Sequence, residues 1–130
     1  MDIEIGATHK EEVMVDESNI ASKVGSGLVD VFATPMMVAL LELASARCIE
    51  RFLDDGQVSV GTRVDVEHSG ATPIGMKVTA VAKVSAVDRR RVDFSVVIED
   101  EAGEVGRGVH TRFIVDKAKF TEKANAKKTR

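Results

Sequence analysis

Hydrophobic and polar residues along the chain follow two different periods, with the change at Gly56. Between Ala33 and Leu53 the apolar residues cover nearly the whole helical circumference from Met36 to Ala46, which predicts one long, buried helix. Thr34 is expected as the N-cap of this helix and Pro35 as its first residue, where a missing N–H has no cost. Gly56 is expected to end the segment in a left-handed conformation.

After Gly56 apolar and polar residues alternate, which is the period of a half-buried β-strand. The alternating stretches run over 58–68, 76–86, 92–98 and 105–115, and a hairpin connection is expected at 88–90. A shorter strand is predicted at 11–15, followed by a loop over 16–27 with a helical turn near Ile20. The basic segment 117–130 is expected to form a partly flexible tail or an exposed helix.

A strand, a buried helix and four consecutive antiparallel strands predict an α+β protein. One antiparallel sheet wrapped around one long central helix is the hotdog fold, and residues 1–130 are expected to form a single such domain. The sheet would leave edge strands exposed. Pairing of two subunits at those edges would cover them, so a homodimer or a dimer of dimers is expected.

Composition and charge exclude several classes of function. A formal net charge of −3 argues against a nucleic-acid partner. No apolar run reaches the ~20 residues of a membrane span, and the acidic N-terminus lacks an apolar signal core. The single cysteine, Cys48, allows no internal disulfide and no multi-cysteine metal site, and fits a reducing cytoplasm.

Three residues are candidates for chemistry. Glu42 points away from the charged side of the predicted helix, and a carboxylate on the buried side is costly unless it has a role. His68 continues the apolar positions Val64 and Val66 and is expected to face inward. A carboxylate, an imidazole and the Thr34 hydroxyl suit acyl transfer or hydrolysis. Each also has a structural interpretation, as an ion-pair partner, a core histidine or a helix cap.

Several segments, taken with their order and spacing along the chain, point to one protein family. They are Phe32–Met37, Glu42 eight residues after Thr34, residues 66–76 (Val-Glu-His-Ser-Gly-Ala-Thr-Pro-Ile-Gly-Met) and residues 106–113. Together they resemble the fluoroacetyl-CoA thioesterase-like family of hotdog proteins over about residues 13–120. The resemblance implies an acyl-CoA thioesterase that needs no metal and no cofactor, with coenzyme A entering as part of the substrate.

The resemblance also assigns site residues. The family's catalytic threonine, glutamate and histidine fall on Thr34, Glu42 and His68, and its strand glycine, whose N–H meets the substrate carbonyl, falls on Gly61. Phe32, beside Thr34, is placed with the substrate-binding residues. His68 would handle the proton of water or of the departing thiol, and Glu42 would attack the thioester or orient the reacting group.

One departure from the family concerns the lid over the acyl group. The fluoroacetyl-specific enzyme has aromatic lid residues shortly before the helix, whereas Leu28 and Gly25 occupy those positions here. A pocket tuned to a single fluorine atom is expected to keep an aromatic lid. Fluoroacetyl-CoA is therefore not expected as the substrate, and a short or otherwise small acyl-CoA is.

Other assignments stay open. Arg89 and Arg90 in the hairpin are candidates for the coenzyme A phosphates, although hairpin arginines are often only solvated. His110 and Arg112 share the parity of two glycines, which favours a structural subunit contact. The alternative functions are a hotdog enoyl-CoA hydratase or dehydratase, a non-catalytic binding protein for acyl-CoA or another small ligand, and a structural assembly subunit.

Overall fold

One antiparallel five-stranded sheet and one long helix across its face make up most of the protein. The computed structural model describes residues 2–129. The elements are β1 (Thr8–Met14), α1 (Ala21–Val24), α2 (Thr34–Glu50), β2 (Gln57–His68), β3 (Lys77–Asp88), β4 (Arg91–Asp100), β5 (Gly103–Asp116), α3 (Lys117–Asn125) and a 3-10 turn (Ala126–Thr129). The strand order is β1-β3-β4-β5-β2 and every neighbouring pair is antiparallel. The predicted α+β hotdog fold is confirmed.

The core lies between α2 and the inner face of the sheet. Fully buried residues of α2, among them Met37 and Leu41, share one hydrophobic cluster with buried residues of β3 and β4, among them Phe94 and Ile98. Small side chains such as Ala80 on β3 let the helix approach the sheet closely. Each large side chain in this cluster stabilises the fold by about 1.5–3 kcal/mol relative to leaving it in water.

The helix α2 has three sides rather than the two that were expected. Its charged side, which includes Arg47 and Glu50, is exposed as predicted. A third side carries Ala39, Glu42 and Leu43 and is exposed or half-buried. The prediction of burial nearly all round is therefore wrong for one chain, because a single sheet covers only the core side of the helix.

A β-bulge in β2 reverses the side-chain pattern of that strand. The register with β5 shifts between Gly61 and Arg63, so one extra residue enters β2 at this point. Beyond the bulge Val64 and Val66 share the inner face with His68, as predicted. Before the bulge Val58 and Val60 lie on the outer face, and the prediction of one continuous apolar face is wrong there.

The inner face of β5 carries glycines and polar residues instead of its large apolar ones. Val109 and Phe113 lie on the outer face and are 46% and 41% exposed. The inner positions alternate with them, and they are occupied by Gly106, Gly108, His110, Arg112 and Ile114. A side chain at position 108 would overlap the Asp65 carbonyl oxygen, so only glycine lets β2 and β5 run this close.

The remaining predictions concern the ends of elements. Gly56 has a φ of 83°, the left-handed conformation expected after α2. The first strand begins earlier than predicted, at Thr8, and the helical turn near Ile20 is α1. The basic C-terminal segment forms the exposed helix α3, whose N-cap is the Asp116 carboxylate. Within residues 2–129 no helix is long and apolar enough to cross a membrane.

Substitution of Gly108 tests the close approach of β2 and β5. We expect Gly108→Ala to lower the free energy of unfolding by about 1–3 kcal/mol, because backbone atoms of Asp65 and Val66 must move to admit the methyl group. Urea unfolding followed by circular dichroism measures the change. Gly27→Ala is the control, since its methyl would meet only the Ala21 Cβ at 3.4 Å. Equal stability of the two variants would contradict this strand geometry.

Candidate active site

The start of α2 and the end of β2 meet through one side-chain hydrogen bond. Thr34 Oγ1 lies 2.7 Å from His68 Nδ1. The N-cap of α2 is Ala33, whose extended backbone places its carbonyl oxygen to accept from the N–H groups of Met36 and Met37. The prediction of Thr34 as the N-cap is therefore wrong. Thr34 is the first helical residue, and its hydroxyl is available to His68.

His68 has a second ring nitrogen that no protein group satisfies. Its Nε2 is buried and has no hydrogen-bond partner among the described residues. A buried polar atom without a partner is unusual in a folded protein and is common where a ligand completes the bonding. With Nδ1 engaged by Thr34, Nε2 is the nitrogen of His68 that can exchange a hydrogen bond or a proton with a substrate.

A cleft opens beside this pair. Its volume is about 310 Å³, and its lining includes Thr34, His68, Phe32, Gly27 and Val29. Phe32 is 1% exposed and lines the cleft from the buried side. The walls are largely apolar, which suits a small acyl group more than a charged one.

The predicted lid residue lies outside this cleft. Leu28 is 99% exposed and does not line the cleft within one chain. The α1–α2 loop that carries Leu28 is tied down by a bond from the Ser22 hydroxyl to the Asp30 carboxylate. Gly25, the other lid position, adopts φ 82° as the C-cap of α1. The two lid positions thus border lining residues in sequence, but neither of them lines the cleft.

Glu42 lies over Gly61 at the bulge of β2. A Cβ atom at position 61 would be 2.6 Å from Glu42 Oε2, so the missing side chain leaves the room that the carboxylate occupies. The Glu42 side chain is 40% exposed. The prediction that it faces the buried side of the helix is therefore only partly right, because it lies at the border of the third, uncovered side of α2.

A buried arginine reaches the same carboxylate. Arg112 is 7% exposed, and its Nη1 lies 3.7 Å from Glu42 Oε2. Its Nε donates to Ser59 Oγ at 2.8 Å, and its Nη2 donates to the Ser59 carbonyl oxygen at 2.9 Å. Burial lowers the pKa of Arg112 and the Glu42 carboxylate raises it. The guanidinium remains charged at neutral pH because its intrinsic pKa is so high.

His110 completes this cluster. Its Nδ1 lies 2.7 Å from the Arg63 carbonyl oxygen and its Nε2 lies 3.2 Å from Arg112 Nη1. An arginine can only donate, so Nε2 accepts and Nδ1 carries the proton that is donated to Arg63. Burial lowers the pKa of His110 and Arg112 adds to this, and together they outweigh the raising effects of the Arg63 carbonyl oxygen and the Glu42 carboxylate. His110 is therefore neutral near pH 7.

The two pairs lie apart within one chain. Eight residues of α2 separate Thr34 from Glu42, which is about 12 Å along the helix axis. Gly61 and His68 are six register positions apart once the bulge is allowed for, which is about 20 Å along the strand. One chain thus brings Thr34 together with His68, and Glu42 together with Gly61, but it does not bring Glu42 to His68.

The hairpin arginines lie toward the Glu42–Gly61 end of the sheet. Arg89 has φ 57° in the turn between β3 and β4, and its side chain is 91% exposed beside Asp88. Arg90 donates from Nη1 to the Ile114 carbonyl oxygen at 3.3 Å. It shares a shallow groove with residues of α3, including Lys119, Phe120 and Lys123.

The sequence pattern favoured a structural contact for Arg112 and His110 and did not predict their position beside Glu42. The available signal was their shared parity with Gly106 and Gly108, but the large apolar residues of the strand have the opposite parity. No group of histidine, cysteine and acidic side chains within residues 2–129 could hold a metal ion.

The chain was compared with known proteins. Residues 15–118 match the family model described as FlK, fluoroacetyl-CoA-specific thioesterase. A fluoroacetyl-CoA thioesterase from Streptantibioticus cattleyicolor is 39% identical over 98 residues, which are 75% of this chain and 70% of that protein. A solved structure of the fluoroacetyl-CoA thioesterase FlK superposes with a TM-score of 0.92 at 30% identity over 98% of both chains. A thioesterase superfamily member from Thermus thermophilus superposes with a TM-score of 0.90 at 28% identity, over 98% of this chain and 95% of the other.

The protonation state of His110 can be measured directly. We expect its imidazole to stay in the neutral Nδ1–H form as the pH falls through 6.5, because burial and Arg112 disfavour the cation. Long-range ¹H–¹⁵N correlation spectra from pH 8 to pH 5, with His110→Asn to identify the signals, report the tautomer. Since the unfolded state binds this proton more readily, His110 makes the fold less stable as the pH falls below 6.5. A cationic His110 at pH 7 would contradict the assigned hydrogen bonds.

Proposed function

Since the chain belongs to the fluoroacetyl-CoA-specific thioesterase family, we propose that it is a hydrolase that cleaves the thioester bond of a small acyl-CoA. The observation that carries the proposal is the hydrogen-bonded pair of Thr34 and His68 beside an apolar cleft, with the buried Nε2 of His68 left for a substrate. Family membership favours hydrolysis over the hydratase, binding-protein and assembly alternatives. Coenzyme A is part of the substrate, and no further cofactor is proposed.

The working site is proposed to form between two chains. The uncovered third side of α2 and the unpaired edge of β2 are the surfaces that a second copy would cover. If two β2 edges pair antiparallel about a two-fold axis at Asp65, the extra residue of the bulge brings His68 of one chain opposite Gly61 of the other. This register brings the Thr34–His68 pair of one subunit to the Glu42–Gly61 pair of its partner. A homodimer therefore holds two composite sites.

The proposed chemistry is the addition of water to the thioester carbon and loss of the thiol. The Gly61 N–H and the Thr34 hydroxyl donate to the carbonyl oxygen while negative charge develops on it. His68 takes the proton of the attacking water and returns it to the departing sulfur, so the products are the acid and coenzyme A. Glu42 either orients that water or attacks the carbon itself; in the second route the thiolate leaves, a mixed anhydride of Glu42 and the acid remains, and water deprotonated by His68 cleaves the anhydride while the proton passes to the thiolate. After a single turnover in ¹⁸O-labelled water, label in the Glu42 carboxylate identifies the second route with water attack on the Glu42 carbonyl of the anhydride, because direct attack of water on the thioester places all the label in the released acid.

Acyl selectivity is proposed to follow from the cleft and its mouth. Phe32 forms the floor, and the cleft volume of about 310 Å³ leaves room for a short acyl chain. Leu28 and Gly25 are assigned to the lid, and neither offers the aromatic surface expected of a pocket that selects fluorine. We therefore propose that short acyl-CoAs are substrates without a preference for the fluorinated one.

The nucleotide end of coenzyme A is proposed to bind near the hairpin arginines. Arg89 and Arg90 lie toward the Glu42–Gly61 end of the sheet, and Lys119 and Lys123 line the groove that Arg90 shares. Four cations near one groove suit the phosphates of coenzyme A. A cytoplasmic location, where acyl-CoA substrates occur, fits the free thiol of Cys48 and is part of this proposal.

Hydrolysis of a panel of short-chain and aromatic acyl-CoAs tests the activity and its residues. We expect His68→Ala to lower kcat on the best substrate by about 10²–10⁴-fold, because proton transfer is lost. Thr34→Ala should lower it by about 10²-fold through loss of a donor to the oxyanion. His9→Ala is the control, since the His9 side chain bonds to Glu11 on β1 and does not line the cleft. Wild-type activity in His68→Ala, or hydrolysis of none of the thioesters by the wild-type chain, would refute the proposal.

Mixed dimers test the composite site. His68→Ala and Glu42→Ala chains should each be nearly inactive alone. After the two are unfolded together and refolded, we expect about a quarter of the wild-type rate, because about half of the dimers are mixed and each mixed dimer has one intact site of two. In the control, each variant is unfolded and refolded by itself under the same conditions. If His68 and Glu42 acted within one chain, every site would lack one of the two residues, and mixing the variants would not recover activity.

A further inference from the structure

Arg112 is a buried cation with one acidic neighbour. Among the described residues the only carboxylate within 4 Å of its guanidinium is Glu42, at 3.7 Å. A buried charge is costly to keep in a protein, and replacing a buried ion pair by apolar residues is often neutral or stabilising. The Glu42 side chain is 40% exposed, which weakens what the pair can add to stability. The pair is therefore poorly explained as a device for holding the fold together.

The guanidinium is held in place from two other sides. Ser59 accepts from Nε through its hydroxyl and from Nη2 through its carbonyl oxygen, so a planar fork meets two acceptors on one residue. The third nitrogen, Nη1, donates to His110, whose own orientation is fixed by the Arg63 carbonyl oxygen. Only the Nη1 edge is left to face Glu42. A lysine could supply the charge there but not this geometry.

The carboxylate has little freedom on its other side. The bare backbone of Gly61 lies against Glu42 Oε2, with room for no additional carbon atom. Glu42 thus meets Gly61 and the Arg112 guanidinium on its sheet side, while the rest of the side chain, 40% exposed, faces the uncovered third side of α2. Both of these contacts are rigid, because Gly61 belongs to a strand and Arg112 is tied to β2 and β5.

We propose that Arg112 is a positioning residue for Glu42, and that Ser59 acts with it by fixing the guanidinium. This inference rests on the proposed function, in which the Glu42 carboxylate acts at the thioester carbon. Arg112 holds the carboxylate in one orientation before the substrate arrives, so its contribution appears in the chemical step rather than in substrate binding.

A double-mutant cycle with Glu42 tests the inference. We expect Arg112→Gln to lower kcat by about tenfold or more with KM within about twofold, and Arg112→Lys to restore part of the loss. Ser59→Ala, which keeps the arginine, should lower kcat by about threefold. In a Glu42→Gln background neither Arg112→Gln nor Ser59→Ala should lower kcat further, because the residue through which both act is already lost. Arg91→Gln, on the outer face beside Asp93, is the matched control with wild-type kinetics.

The outcomes separate this inference from the proposed function. If Arg112→Gln or Ser59→Ala lowers kcat by the same factor in both backgrounds, the residue acts independently of Glu42 and the inference is overturned while the thioesterase stands. Unchanged kcat in both single variants overturns it as well. If Glu42→Gln itself hydrolyses at the wild-type rate, the proposed role of Glu42 fails and the inference fails with it. Thermal unfolding of every variant checks the fold, and Ser59→Ala remains informative if Arg112→Gln does not fold.

Discussion

The close approach of α2 to the inner face of β2 and β5 is the constraint on which the site depends. Gly106 lies under Met37 and Gly61 lies under Glu42, and a Cβ atom at either position would fall within 3 Å of the helix side chain above it. Glycine at these two points thus lets one helix present two side chains to the sheet. A wider gap would separate Glu42 from Arg112 and would lift the helix start away from His68.

The inner face of the sheet is apolar where it supports the fold and polar where it approaches the site. β3 and β4 contribute the buried apolar cluster under one side of the helix. β2 and β5 contribute His68, His110 and Arg112, each of which bonds to a polar partner. Among the described residues, Nε2 of His68 is left without one. Buried polar groups of this kind add little net stability. Their concentration on two adjacent strands is best explained by the chemistry proposed for them.

The periods of the chain predicted the elements, but not the local irregularities that set the site. The long helix and the four alternating strands followed from spacing alone, because burial on one face imposes that spacing. The bulge after Gly61 could not be predicted, since one additional residue in a strand leaves no mark on an alternating pattern except a change of phase. The N-cap was also predicted wrongly. Threonine is a preferred N-cap residue type, whereas Ala33 has no side chain that could cap and takes the position through its backbone carbonyl oxygen alone.

The site residues were predicted from a family resemblance, and the helix crossing the sheet was expected to bring them together within one subunit or across a dimer interface. Which of them a single chain brings together was not predicted. Helical geometry alone put Glu42 on a buried side, whereas one chain leaves it half-exposed, because the chain's own sheet does not cover that side. Arg112 was undervalued because Val109 and Phe113 made the opposite face of β5 look like the inner one. Both errors have the same cause. Which face of a helix or strand is buried depends on the elements packed against it, and its own sequence does not determine this alone.

The proposed meeting of His68 from one subunit with Glu42 from its partner is the central claim. A crystal structure with a non-hydrolysable acyl-CoA analogue, in which the thioester sulfur is replaced by a methylene group, tests it most directly. We expect the carbonyl carbon between His68 Nε2 of one subunit and Glu42 of the other, with the carbonyl oxygen near the Gly61 N–H. An analogue bound away from His68, or touching His68 with no Glu42 of either subunit near its carbonyl, would contradict the claim.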